Sequence, residues 1–179
     1  MCNFNTKIGF FFFFAHMLYD KCMKIKIICF ISIFLIITKV KSSDFIDKGY
    51  YVIDLANKVE WLKCTVGQSW DEDKKKCVGS AKKLNMEEIK EANIQINEQL
   101  EGKWRLPSRK ELETLVCKDC EGSKIDKRFF PDTPAEPFWT SQRNWWSPKF
   151  FWSVNFFTGH TFGRFVPEKR LYIRFLRER

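Results

Sequence analysis

The chain has 179 residues, 45% apolar and 30% charged, enough for one hydrophobic core behind a leader. Its net charge of +9 is unevenly placed: six basic residues and one acidic residue precede Ser43, which leaves 25 against 21, a net +4, for the rest. That balance permits an anionic partner, and together with export it speaks against nucleic-acid binding.

Residues 1–42 read as a leader whose core is about 23–42. Lys24 and Lys26 precede an apolar run, Ile27 to Ile37, interrupted only by Ser32, and Val40-Lys41-Ser42 suits a signal peptidase. The run is about half of the roughly 20 residues that span a bilayer, so a cleaved signal peptide is expected. An uncleaved leader would be the chain's only link to a membrane. Met23 begins a conventional leader, and residues 1–22, with the block Phe10 to Phe14, read as an over-called start. Residues 43–179 then form a single exported domain, secreted, periplasmic or at the cell surface.

Cys2, Cys22 and Cys29 lie in the leader, which leaves Cys64, Cys77, Cys117 and Cys120. An even count in an exported chain points to disulfides. Four cysteines allow three pairings; Cys64–Cys77 with Cys117–Cys120 is favoured because each pair brackets a loop. A zinc site is the sharper alternative, but only Cys117-Lys118-Asp119-Cys120 has ligand spacing.

Tyr50 to Leu55 and Val59 to Cys64 are expected to be strands. Thr65 to Lys76 reads as a loop, and its triplet Asp71-Glu72-Asp73 lacks the Gly and Glu of an EF-hand. Asn85 caps a helix, with Glu88 three residues on; Met86, Ile89, Ala92 and Ile96 carry its apolar face to about Gln99. The most strongly specified stretch is Trp104-Arg105-Leu106-Pro107-Ser108 with Glu111. Pro107 holds Leu106 extended, and Ser108 and Glu111 make a capping box. Leu112, Leu115 and Val116 then face a core, and Arg105 is expected in a semi-buried ion pair. Cys117 to Pro137 is a long, turn-rich loop. Four aromatic strands follow, Phe138–Ser141, Phe150–Phe156, Thr161–Phe165 and Leu171–Leu176, with a turn at Thr158-Gly159-His160. Strands, two helices, a long loop and a sheet in that order make an α+β domain.

Chemistry is sparse. His160 is the one histidine after the leader and falls in a turn, so neither a two-histidine metal site nor a catalytic triad is supported. No metal, cofactor or catalytic residue is expected. Calcium-dependent sugar binding lacks its carboxylates, since Asn155 is the only amide in the aromatic strands. Basic residues interleave with aromatics toward the C-terminus: Lys149, Arg164, Lys169, Arg170 and Arg174. Most tryptophans belong to the core, whereas Trp145 and Trp146, adjacent in a loop, are the pair expected at the surface. These two with Lys149, Arg164, Lys169 and Arg170 make the candidate ligand-binding set.

Several motifs in order resemble the DUF1566 family, also named for the C-terminal domain of the Legionella collagen-like adhesin (Lcl C-terminal). They are Cys64-Thr65-Val66-Gly67-Gln68-Ser69-Trp70 with Cys77-Val78-Gly79, then Gly102 to Pro107 with Glu111-Leu112. Phe130-Pro131, Phe138-Trp139-Thr140-Ser141, Trp152 to Phe156 with Gly159, and Ile173-Arg174-Phe175-Leu176-Arg177 complete the set. The resemblance covers about residues 50–179. Family endings commonly carry Cys where this chain has Phe175, which leaves the partner of Cys117 and Cys120 open. The resemblance implies a fold like C-type lectins and formylglycine-generating enzymes, with two helices on antiparallel sheet and disulfide-pinned loops. It also implies a bacterial adhesion module for an anionic surface polysaccharide. The other classes it leaves are a structural or homo-oligomerising surface module and a formylglycine-type enzyme.

Overall fold

The computed structural model describes residues 44–179, and the leader readings at residues 1–42, with Cys2, Cys22 and Cys29, lie outside them. Among the described residues no helix is long and apolar enough to cross a membrane. The described residues begin with β1 (Phe45–Asp47), β2 (Tyr51–Asp54) and β3 (Val59–Leu62), which pair antiparallel in sequence. The last strand of the chain, β9 (Leu176–Glu178), completes this sheet in the order β1-β2-β3-β9. Val52, Val59, Trp61 and Leu176 carry its buried face.

The segment expected as a loop after Cys64 instead folds into a hairpin of β4 (Gln68–Asp71) and β5 (Lys76–Gly79). The acidic triplet makes its turn, where the Asp71 carboxylate accepts the Lys74 N–H and Lys75 adopts a positive φ of 51°. Strands of four residues, half of them solvated, leave too little alternation to be read from sequence. The Cys64–Cys77 disulfide ties the hairpin to the end of β3, and Cys117 bonds Cys120, so the favoured pairing is the one formed.

Helix α1 (Met86–Gln99) starts at Asn85, whose side chain accepts from Glu87 N–H and Glu88 N–H while the Glu88 carboxylate accepts the Asn85 N–H. Helix α2 (Arg109–Thr114) has the same box made by Ser108 and Glu111. Such a box contributes about 0.5–2 kcal/mol. Between the helices, Trp104 is clamped by two α1 side chains: Asn97 accepts its N–H, and Asn93 and Asn97 both donate to its carbonyl. The Arg105 N–H and C=O then bridge to Leu176 of β9. The long loop is pinned by backbone bonds Cys117 N–H to Lys124 O and Lys124 N–H to Phe156 O, and it drops Ile125 and Phe130 into the core.

Strands β6 (Pro137–Arg143), β7 (Phe151–Asn155) and β8 (His160–Phe165) form a three-stranded meander. The expected fourth aromatic strand, Leu171–Leu176, is not part of it. Its backbone bonds pass from one element to the next: Leu171 to Leu84, Tyr172 to Pro137 and Trp139, Ile173 to Val66, Phe175 to Leu62. Only Leu176 onward is a strand, and it belongs to the first sheet. Two apolar clusters join the layers. One links the first sheet to Leu112, Phe130, Phe138 and Phe156; the other links Leu62, Ile89, Trp104, Trp139 and Phe175. The architecture is α+β, small antiparallel sheets with two helices.

Candidate functional site

The loop between β6 and β7 presents the largest exposed aromatics of the described chain: Trp145 is 77% exposed and Trp146 58%. Exposure of this size would be costly in water unless the loop were held open by polar anchors. Asn144 is that anchor. Buried, it donates from its side chain to Gly163 O at 2.9 Å and accepts the Trp146 N–H at 3.2 Å. Its backbone N–H reaches Phe150 O at 2.8 Å, and Arg143 donates to Pro148 O at 2.9 Å. The loop is thereby closed on itself at both ends.

The indoles continue inward as a ladder. Trp145 and Trp146 meet edge to face at 4.6 Å between centroids, and Trp146 meets Trp152 of β7 in the same way at 6.1 Å. Trp152 lies against Gly163, where a Cβ would stand 2.8 Å from its ring. The Arg109 guanidinium, from the first turn of α2, sits 4.5 Å from the Trp152 ring centroid, a cation–π contact. Glycine is therefore required at 163 for having no side chain, while its carbonyl, which any residue would supply, anchors Asn144. Gly163→Ala is expected to cost about 1–2 kcal/mol, the lower part of the overpacking range because Trp152 is only half-buried and can shift. Urea unfolding and near-ultraviolet dichroism of the tryptophans measure both effects; an unchanged midpoint would refute this packing.

Of the six expected binding residues, the structure places Trp145, Trp146 and Lys149 in one loop, with Lys149 Nζ 5.1 Å from the Phe150 ring centroid. Arg164 is exposed on β8 immediately after Gly163. Arg143, Lys149, Arg164 and Lys169 have no carboxylate within ion-pair distance among the described residues. Lys169 and Arg170 belong instead to a turn against the start of α1, where Met86 N–H donates to Pro167 O and Arg170 pairs with Glu88. Arg174, expected among the surface cations, is fully buried. Its guanidinium donates to Leu62 O, Lys63 O and the hydroxyls of Thr65 and Thr133. Ile173, Phe175 and Leu176 around it are buried as well, so the whole segment is enclosed, and carbonyls and hydroxyls replace water around the guanidinium.

Arg109, Asn144, Trp152 and Gly163 are not among the site residues expected from sequence. Asn144 ahead of two tryptophans is an available signal, since Asn commonly accepts from a backbone N–H two residues on. His160 is exposed at the start of β8, its N–H donating to Thr158 Oγ1. Arg105 pairs with Glu111 at 2.7 Å and also with Glu178, as expected for a semi-buried ion pair. Asn155, the amide weighed for calcium, accepts the Phe157 N–H in a turn.

Comparison with curated proteins and with solved structures returns no match. The family model described as the Lcl C-terminal domain matches residues 50–177, which include both disulfides, the capping-box helices and the indole loop. The chain belongs to the Lcl C-terminal domain family.

Proposed function

We propose that the protein is an exported, non-catalytic adhesion module, lectin-like in fold, that binds an anionic glycan or envelope polysaccharide at the indole loop. The observation that carries this reading is the rigid, solvent-facing Trp145–Trp146 pair, anchored by buried Asn144 and flanked by cations without carboxylate partners. Indole faces stack on sugar rings, and unpaired guanidinium and ammonium groups pair with sulfate or carboxylate. The cations concerned are Arg143, Lys149 and Arg164; Lys169 and Arg170 form a separate basic turn. The four cysteines of the described residues are in disulfides, and His160 stands at the start of β8 with no nucleophile or carboxylate among the described residues bonded to its ring. Both features favour binding over catalysis.

A glycan array with sulfated, carboxylated and neutral polysaccharides tests the reading. Polyanionic binding is expected, weakened at least tenfold between about 0.05 M and about 0.5 M NaCl as screening grows. Trp145→Ala with Trp146→Ala is expected to reduce it by a further ten- to hundredfold, about 1.4–2.8 kcal/mol, with far-ultraviolet dichroism unchanged. No polyanionic hit would sink the proposal. If the same double variant instead abolished concentration-dependent self-association, the loop would be an oligomer contact.

A further inference from the structure

A recess opens between α1 and the segment that leads into β4. Its volume is about 440 Å³, and none of its lining residues carries a formal charge, in a chain that is 30% charged. Leu62 and Phe175 line its depth. One wall is a stripe of α1, Ala92, Gln95, Ile96 and Gln99, at the spacing that puts residues on one helix face. The remaining helix positions include Glu87, Glu88, Lys90, Glu91 and Glu98, so neutrality is confined to this stripe. The Gln95 and Gln99 side chains are exposed and make no hydrogen bond among the described residues.

The opposite wall is rigid. Cys64 is bonded to Cys77, Val66 accepts the Lys82 N–H at 2.8 Å and donates its own to Ile173 O at 3.3 Å. Gly67 turns the wall with φ +93°, and a Cβ there would stand 2.5 Å from Ser80 O. Gln68, also a lining residue, brings a third amide, whose Oε1 is buried without a hydrogen-bond partner among the described residues. Two aromatics stand at the rim. Trp70 is fixed by Lys63 Nζ, 3.8 Å from its ring centroid, and by its Nε1–H bond to Glu72; Tyr50 packs edge-on against Tyr51.

We infer that this recess binds an uncharged saccharide of one or two rings, separately from the polyanion reading of the indole loop. An apolar depth with aromatics at the rim suits the C–H face of a pyranose. Three carboxamides, each both donor and acceptor, match hydroxyl or acetamido groups that are donors and acceptors too. The absence of lining charge turns the preference from acidic to neutral sugars.

Isothermal titration of the protein with N,N′-diacetylchitobiose, cellobiose, maltose and lactose is the test. At least one is expected to bind with a Kd of about 0.1–10 mM, unchanged between about 0.05 M and about 0.5 M NaCl. Gln95→Ala with Gln99→Ala is expected to weaken that binding about tenfold or more, through two lost hydrogen bonds. Alanine favours helix, so dichroism should show α1 intact. Trp145→Ala with Trp146→Ala should leave the neutral-sugar affinity unchanged, which separates this site from the indole loop. The inference is overturned if none of the four binds, if binding survives loss of both glutamines, or if it disappears with Trp145 and Trp146.

Discussion

Replacing Arg174 with Met is expected to lower the free energy of unfolding by about 3–5 kcal/mol. Arg174 is fully buried, and among the described residues no carboxylate pairs with it. Burial pushes its ionisation down to about 9, which still leaves it charged at neutral pH. What holds the charge is a cage of oxygens from two separate parts of the chain, residues 62–65 and Thr133. Leu62 and Lys63 offer carbonyls at the end of β3, Thr65 a hydroxyl beside the neutral recess, and Thr133 a hydroxyl from the long loop. The Phe130 ring lies 4.9 Å from the guanidinium carbon. Met fills a similar volume but leaves these acceptors without their donor, each orphaned group costing about 1–3 kcal/mol. Lys should rescue little, because one ammonium cannot reach acceptors arranged for a planar fork. Urea midpoints at constant slope measure the loss; a Met variant within about 1 kcal/mol of the parent would refute the account. Thr65 also lines the recess, so the Met variant should loosen that wall as well.

How much of this was legible depends on how far apart in sequence the partners lie. Both capping boxes close within three residues, and Asn85 with Glu88 and Ser108 with Glu111 stand as read. Each disulfide joins cysteines close in sequence, 13 and 3 residues apart, so local spacing sufficed there too. The segment Leu171–Leu176 has the composition of a strand, yet its backbone partners lie at Leu84, Trp139, Val66 and Leu62. No local pattern carries that information. The hairpin of β4 and β5 was hidden for a different reason: its charged turn and half-solvated strands look like a loop.

The candidate site divides along the same line. Trp145 and Trp146 were legible as exposed because adjacent indoles in a turn cannot both enter a core. Arg170 and Arg174 were not, since Glu88 and the Leu62 carbonyl that claim them are 82 and 112 residues away. Arg109 and Trp152 illustrate the converse. Each has an evident local role, a first-turn helix residue and a strand aromatic, and only the packing of α2 on β7 makes them one stack. The candidate site is therefore assembled by strand pairing, while the sequence motifs that stand out are those that build the fold.

Glu111 is the residue through which acid should act on that framework. Its carboxyl is held down to about 2 from its ordinary 4.5, chiefly by the Arg105 guanidinium and then by the Ser108 N–H, against the opposing effect of burial. Between those values the unfolded chain takes up a proton that the folded chain does not. The stabilisation is thus complete above about pH 4.5 and is lost as pH falls toward about 2. The shift corresponds to about 2–3 kcal/mol once allowance is made for solvent reaching the partly exposed Arg105. Gln at this position keeps an oxygen that accepts the Ser108 N–H, so Glu111→Gln removes the charge and spares the cap. It is expected to cost about 2 kcal/mol at pH 7, and Glu111→Ala about 3 kcal/mol, the difference being the cap. Asp71, Glu72 and Asp126 are also held low by neighbouring cations, so the parent alone will weaken in acid from several causes. The gap between parent and Glu111→Gln isolates one of them. It should narrow steadily from about pH 4.5 and nearly vanish at about pH 2. A gap that stayed constant over that range would mean that Glu111 contributes through packing, and that the Arg105 pair adds nothing measurable.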